Sequence, residues 1–248
     1  MKAFSTQIPP SELLENVFHS FQESWMPGLE ESFLRADKLS LSSELKRGVA
    51  SRLTEISGQG GGAVLTFAFS LVRDAQRAGE SVLWLSSRLK PFYPPDAESA
   101  GVDLKSLPVL FLSHPEEAYL AASQVLGSGA FALLVWDLVS WKKSRQKIAL
   151  ASLGRLNVMA RHHRSAVLVL TDKRESESSL GCLVSLRLQV EPHEEKPELM
   201  EVRVVRDKRG RLQRGKKWSL LCELPDGLPS TSSVSSATIA PSKKRMAG

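Results

Sequence analysis

The sequence predicts an α/β protein with one core, a mostly parallel sheet flanked by helices. An N-terminal helix precedes that core, and a C-terminal antiparallel hairpin closes it. Three observations lead there. Short apolar runs alternate with helix-length segments, the pattern of a parallel sheet covered on both faces. A glycine loop, Gly58-Gln59-Gly60-Gly61-Gly62, lies between one such run and a helical segment. A strongly basic stretch, Arg203 to Lys217, then encloses a turn. With 248 residues, 42% hydrophobic and 24% charged, the chain is long enough for one such domain with appendages.

In chain order, Ser11 is a fitting N-cap for a helix over 11–26, with Glu12 in its first turn. Leu13, Leu14, Val17, Phe18, Phe21 and Trp25 recur at helical spacing until Met26-Pro27-Gly28 stops it. That face either packs on its own core or docks on another subunit. Leu39, Leu41 and Leu45 lead into the core. Residues 52–57 read as a strand, the glycines follow, and 63–79 reads as a buried helix closed by Gly79. Further strands are expected at 81–86, 107–112, 130–136 and 166–171. Pro115 starts a helix with Glu116 and Glu117 in its first turn, running to Gly127, and another helix is expected over 144–163. Strands at 183–190 and 200–206 follow. Alternation in Leu186-Arg187-Leu188-Gln189-Val190 predicts an edge or antiparallel strand with one wet face. Val202–Asp207, a turn at Lys208–Arg211 and a return strand over Leu212–Leu221 make the hairpin. The chain divides into an N-terminal helix and linker (1–38), the core (39–224) and a Ser/Pro-rich basic tail (225–248) whose composition is that of disorder.

Strand, glycine loop and helix form the layout that cradles phosphate, because N–H groups at a helix N-terminus attract anions. A working P-loop also needs GxxxxGK[ST], with the lysine on the β/γ-phosphates and the hydroxyl on magnesium. Ala63, Val64 and Leu65 stand where Gly, Lys and Ser/Thr belong. Gly58, Gly60, Gly61 and Gly62 therefore keep the outline of a nucleotide site without its charge. Asp137 ends the apolar strand expected at 130–136 and is grouped with that degenerate site.

Several stretches together resemble the RecA-type recombinases. Leu53-Thr54-Glu55-Ile56-Ser57-Gly58 is similar to the approach to their P-loop. Ser81-Val82-Leu83-Trp84-Leu85-Ser86 resembles the next strand, and Ala100-Gly101-Val102-Asp103-Leu104 the segment after it. Leu133-Leu134-Val135-Trp136-Asp137-Leu138-Val139-Ser140 is similar to the Walker B strand. The resemblance covers about residues 39–224 and implies a single RecA-like core. It also implies a catalytic glutamate just past strand 81–86, where this chain has Ser86, Ser87, Arg88 and Leu89. General-base catalysis lacks its group, so the chain is read as no enzyme and as needing no cofactor. A RecA core without the lysine most resembles the ImuA-type accessory proteins of bacterial damage-induced mutagenesis. That resemblance implies a RecA-type recombinase, an error-prone DNA polymerase-like protein, or both as partners, with Leu13, Val17, Phe18, Phe21 and Trp25 as the docking face. The family's two DNA loops correspond to the short basic segment 141–147 and to the truncated Lys173–Ser179.

The net charge of +6 is unevenly placed. Glu201 to Lys217 holds eight basic and two acidic residues, and Lys243, Lys244 and Arg245 add three more positive charges. The remainder is mildly acidic, which argues against a general nucleic-acid coat. Arg206, Lys208, Arg209, Arg211, Arg214, Lys216 and Lys217 are candidates for binding DNA or an acidic partner. Reversing Arg209, Arg211 and Arg214 is expected to leave the fold intact, since exposed charges stabilise little. Cys182 and Cys222, far apart, suit unpaired thiols in a reducing cytoplasm. No Cys/His cluster forms a metal site, and no apolar run reaches the roughly 18–20 residues of a membrane span. Two readings follow: a non-catalytic accessory protein acting through protein contacts, or a DNA-binding module using residues 203–217 and the tail. An active ATPase is a distant third.

Overall fold

The computed structural model describes residues 41–90, 92–141, 148–196 and 199–221. The expected helix over 11–26, the basic segment 142–147 and the tail 225–248 lie outside the described residues.

Among the described residues, eight strands form one sheet. They are β1 (Leu53–Gly58), β2 (Val82–Ser87), β3 (Val109–Leu112), β4 (Leu133–Asp137), β5 (Ala166–Asp172), β6 (Leu186–Pro192), β7 (Leu199–Asp207) and β8 (Lys217–Leu221). Their order is β3-β2-β4-β5-β1-β6-β7-β8. Neighbours from β3 to β6 run parallel, and β7 and β8 add antiparallel. The central strands are apolar on both sides because helices cover both faces. One face packs on α1 (Ser43–Val49), α2 (Gly62–Arg77) and α3 (Pro94–Ser99), with Phe69, Trp84 and Phe92 in mutual ring contact at 5.0–5.8 Å. The other face packs on α4 (Pro115–Ser128) and α5 (Leu150–His162) through Leu126, Trp136, Leu153 and Leu156.

Helix starts follow local chemistry. Ser42 Oγ accepts from Leu45 N–H at the head of α1. Glu117 Oε2 accepts from Ser113 N–H and His114 N–H at the head of α4, with Pro115 as its first residue. Helix α5 begins at Leu150 rather than 144, because Ala149 has an extended ψ of 136°.

Two expectations are corrected. Strand β6 is antiparallel to β7 as expected, but it has no wet face and is no edge: it also runs parallel to β1, and Arg187 and Gln189 are buried. Its alternation marks polar side chains that hydrogen-bond inside the protein. The return strand of the hairpin starts at Lys217, not Leu212. Asp207 accepts from Arg209 N–H and Leu212 N–H, each at 2.8 Å, and the Leu212 side chain is buried against Gly48. Those contacts draw residues 209–214 off the ladder and onto α1, while Gly215 and Lys216 still exchange backbone hydrogen bonds with Val204.

Candidate functional site

Gly58 is the last residue of β1, Gly60 and Gly61 form the loop, and Gly62 is the first residue of α2. Gly60 and Gly61 have φ of 74° and 78°, a left-handed setting that favours glycine. The loop thus has the turn that a phosphate cradle requires. Its contacts are internal, however. Gly60 N–H donates to Asp172 Oδ1 at 3.1 Å, so a carboxylate at the end of β5 takes up a cradle donor. Val139, just past β4, packs so closely on Gly61 that a Cβ there would lie 2.4 Å from its Cγ1. Val64, where a P-loop has its lysine, is fully buried against Gly58.

Asp137 ends β4 as expected and is buried. Ser140 N–H donates to its Oδ1 at 3.2 Å, and Ser140 Oγ donates to its backbone carbonyl at 3.0 Å. Burial raises its carboxyl from 3.8 to about 6, against lowering contributions from the Ser140 backbone and side chain and the Val139 backbone. Ser140 Oγ also accepts from Ser87 N–H at 3.2 Å, tying the ends of β2 and β4 together. At the place of the expected glutamate, Ser86 and Ser87 are buried in β2. Among the described residues, no group of three or more His, Cys, Asp or Glu could hold a metal ion.

A buried network that the sequence reading missed lies beside this site. Glu55, inside β1, accepts from Leu180 N–H at 3.0 Å, from Ser179 Oγ and from Thr171 Oγ1 at 3.3 Å, and it pairs with Lys173 at 3.4 Å. Arg187 donates to the carbonyls of Glu177 and Arg174, the latter at 2.7 Å, and to Ser57 Oγ. Gln189 accepts from Ser57 Oγ at 2.8 Å and donates to the Lys173 carbonyl at 3.3 Å. Residues 173–180, which take in the segment Lys173–Ser179 expected to correspond to a second DNA loop, are therefore fastened to the sheet. A glutamate in the apolar run Leu53–Ile56 was the available signal.

The basic segment is also largely engaged within the protein. Arg206 donates to the Gly181 carbonyl and Lys208 to that of Cys182. Arg209 donates to the Ser51 carbonyl at 2.9 Å, and Arg211 to those of Arg47 and Ala50 at 3.2 and 3.1 Å. Lys216 pairs with Glu44 and lies over the Trp218 ring, and Lys217 pairs with Glu201 at 2.9 Å. Arg214 is exposed. Charge reversal at Arg209 and Arg211 would give up these bonds to backbone carbonyls. The docking residues Leu13, Val17, Phe18, Phe21 and Trp25 lie outside the described residues.

No family model matches the chain. A stretch of 125 residues is 31% identical to Protein RecA of Thermotoga petrophila, and equally so to Protein RecA of Thermotoga maritima. That stretch takes in 48% of this chain and spans about a third of each relative, 34%. Among solved structures, a crystal structure of the RadB recombinase superposes with a TM-score of 0.54 at 19% identity, covering 71% of this chain and 92% of that one. The fold is RecA-like. The antiparallel β6-β7-β8 unit extends its parallel sheet, and among the described residues no helix is long and apolar enough to cross a membrane.

Proposed function

We propose that this chain is a RecA-fold accessory protein of bacterial DNA recombination or repair that no longer turns over nucleotide and works through protein contacts. One observation carries the reading: the glycine loop is closed from within. Asp172 takes up a loop N–H, Val139 packs on Gly61, and Val64 replaces the phosphate lysine. Phosphoryl transfer rests on positioned phosphates and neutralised charge, and an internal carboxylate opposes both. The similarity to recombinases supports a place in recombination or repair. The resemblance to ImuA-type proteins narrows that place to translesion synthesis in the damage response, with a RecA-type recombinase and an error-prone polymerase as partners.

The docking face proposed is the N-terminal set Leu13, Val17, Phe18, Phe21 and Trp25. Apolar side chains of this kind contribute roughly 1.5–3 kcal/mol each when fully covered. The test is co-sedimentation of the full chain with recombinase filaments on single-stranded DNA, for the parent and for a Phe18→Asp/Phe21→Asp variant. The reading expects parent capture and a variant that stays folded but is no longer captured. Equal capture of both, or no capture of the parent, would reject this contact.

A further inference from the structure

The amino-terminal edge of the sheet, opposite the glycine loop, gathers cations that the sequence scatters. Three segments meet there. Helix α1 brings Arg47, helix α5 brings Arg161 with Arg164 just beyond it, and the loop after β7 brings Arg209 and Arg211. The joints are explicit. Arg211 donates to the carbonyls of Arg47 and Ala50, Arg209 to that of Ser51, and Ser51 Oγ to that of Arg164 at 3.3 Å. Burial holds Arg209 below its ordinary pKa, with Arg211, Arg52 and then Arg161 adding to the effect.

Helix capping accounts for part of this cluster and leaves most of its charge unspent. The C-termini of α1 and α5 end here, and each helix end carries about −0.5 charge. Five guanidinium groups outweigh that. The nearby carboxylates are already committed: Asp207 binds Arg52 through both oxygens, at 2.6 and 3.3 Å, and Glu44 pairs with Lys216. A guanidinium has five N–H donors, and the bonds from Arg209 and Arg211 to backbone carbonyls leave others for a ligand. Arg47, Arg161, Arg164 and Arg211 are exposed. Arg164 holds its charge at φ 56°, in a position after a helix that favours glycine. Beside Arg47 and Arg211 lies an open cavity of about 400 Å³, lined also by Glu44, Gly48 and Ala50.

We infer that this edge is a phosphate-binding surface for the backbone of double-stranded DNA, built by Arg47, Arg161, Arg164, Arg209 and Arg211. Planar guanidinium groups suit phosphate oxygens. The cavity beside Arg47 and Arg211 is lined by no aromatic side chain on which an unpaired base could stack, which favours a duplex over a single strand. None of these five residues belongs to the N-terminal docking set.

The test is fluorescence anisotropy of a labelled DNA duplex with the full chain across a salt series. The parent is expected to bind with a log–log salt slope of about −4 to −5, at roughly −0.9 per phosphate neutralised by the five arginines. A variant carrying Arg47→Gln, Arg161→Gln and Arg164→Gln, shown to be folded by circular dichroism, should bind at least about tenfold more weakly with a slope shallower by about 2 to 3. A variant carrying Lys90→Gln, Lys105→Gln and Lys196→Gln removes as many exposed charges elsewhere and should bind as the parent does. The inference is overturned by absence of duplex binding, by parent-like binding of the arginine variant, or by equal loss in the lysine variant. Preference for a poly-glutamate peptide over the duplex also overturns it, assigning the edge to an acidic protein instead.

Discussion

Burial acts on Asp137 and Asp207 in the same direction, yet their partners give opposite outcomes. Asp137 has Ser140 and Val139 as donors and no cation among its causes, so burial wins and its carboxyl rises to about 6. A raised acid is stabilising when protonated. That contribution is fully present below the unfolded value of 3.8 and is lost as pH climbs through about 6. The shift corresponds to a loss on the order of 3 kcal/mol. Asp137→Asn, whose amide oxygen can still accept from Ser140, should therefore be more stable than the parent at pH 7.5 and about equal at pH 4, as read from urea midpoints. For Asp207, burial is overridden by the Arg52 hydrogen bonds, the N–H groups of Arg209 and Leu212, and the Arg52 charge, and its pKa falls. Its contribution is present above the ordinary carboxylate range and is lost as pH drops through the lowered value. Asp207→Ala strands the buried Arg52 guanidinium and should cost about 3–5 kcal/mol, again by urea unfolding at neutral pH. The sequence could place Asp137 at a strand end, because the apolar run before it is local. It could not pair Arg52 with Asp207 across 155 residues.

At the scale of elements, the glycine loop and the 173–180 segment are both clamped. Gly58 lies so close to β6 that an added Cβ would sit 2.2 Å from the Val190 carbonyl oxygen. Backbone cannot yield as a side-chain tip can, so Gly58→Ala should lower stability by about 1–3 kcal/mol, visible as a lower melting temperature. Arg187 fastens residues 173–180 through the carbonyls of Arg174 and Glu177. Arg187→Met should release that segment, and limited trypsin digestion should then cut after Lys173 or Arg174 faster than in the parent. Unchanged cleavage would mean that Glu55 alone suffices. Strands β2 to β5 were legible because each is built on a continuous apolar run. Strand β6 was misread because its polar residues face a buried network contributed by distant segments. The loop after β7 was misread because Asp207 and Gly48, not local turn chemistry, set its path.

For the whole molecule, the alternation of strands and helices made the core foreseeable, and the superposition on a recombinase gives it a RecA-like form. The glycine loop was visible in sequence as a cradle without its lysine; that Asp172 and Val139 fill it from within was not. The proposed loss of nucleotide turnover rests on that closure, because Asp172 on a loop N–H and Val139 against Gly61 compete with phosphate for the cradle. Calorimetric titration of magnesium ATP into the full chain tests it most directly. The account predicts no saturable heat below millimolar nucleotide, a binding free energy no better than about −4 kcal/mol. Saturable binding at micromolar ATP would contradict it, because Asp172 and Val139 would then have to yield the cradle.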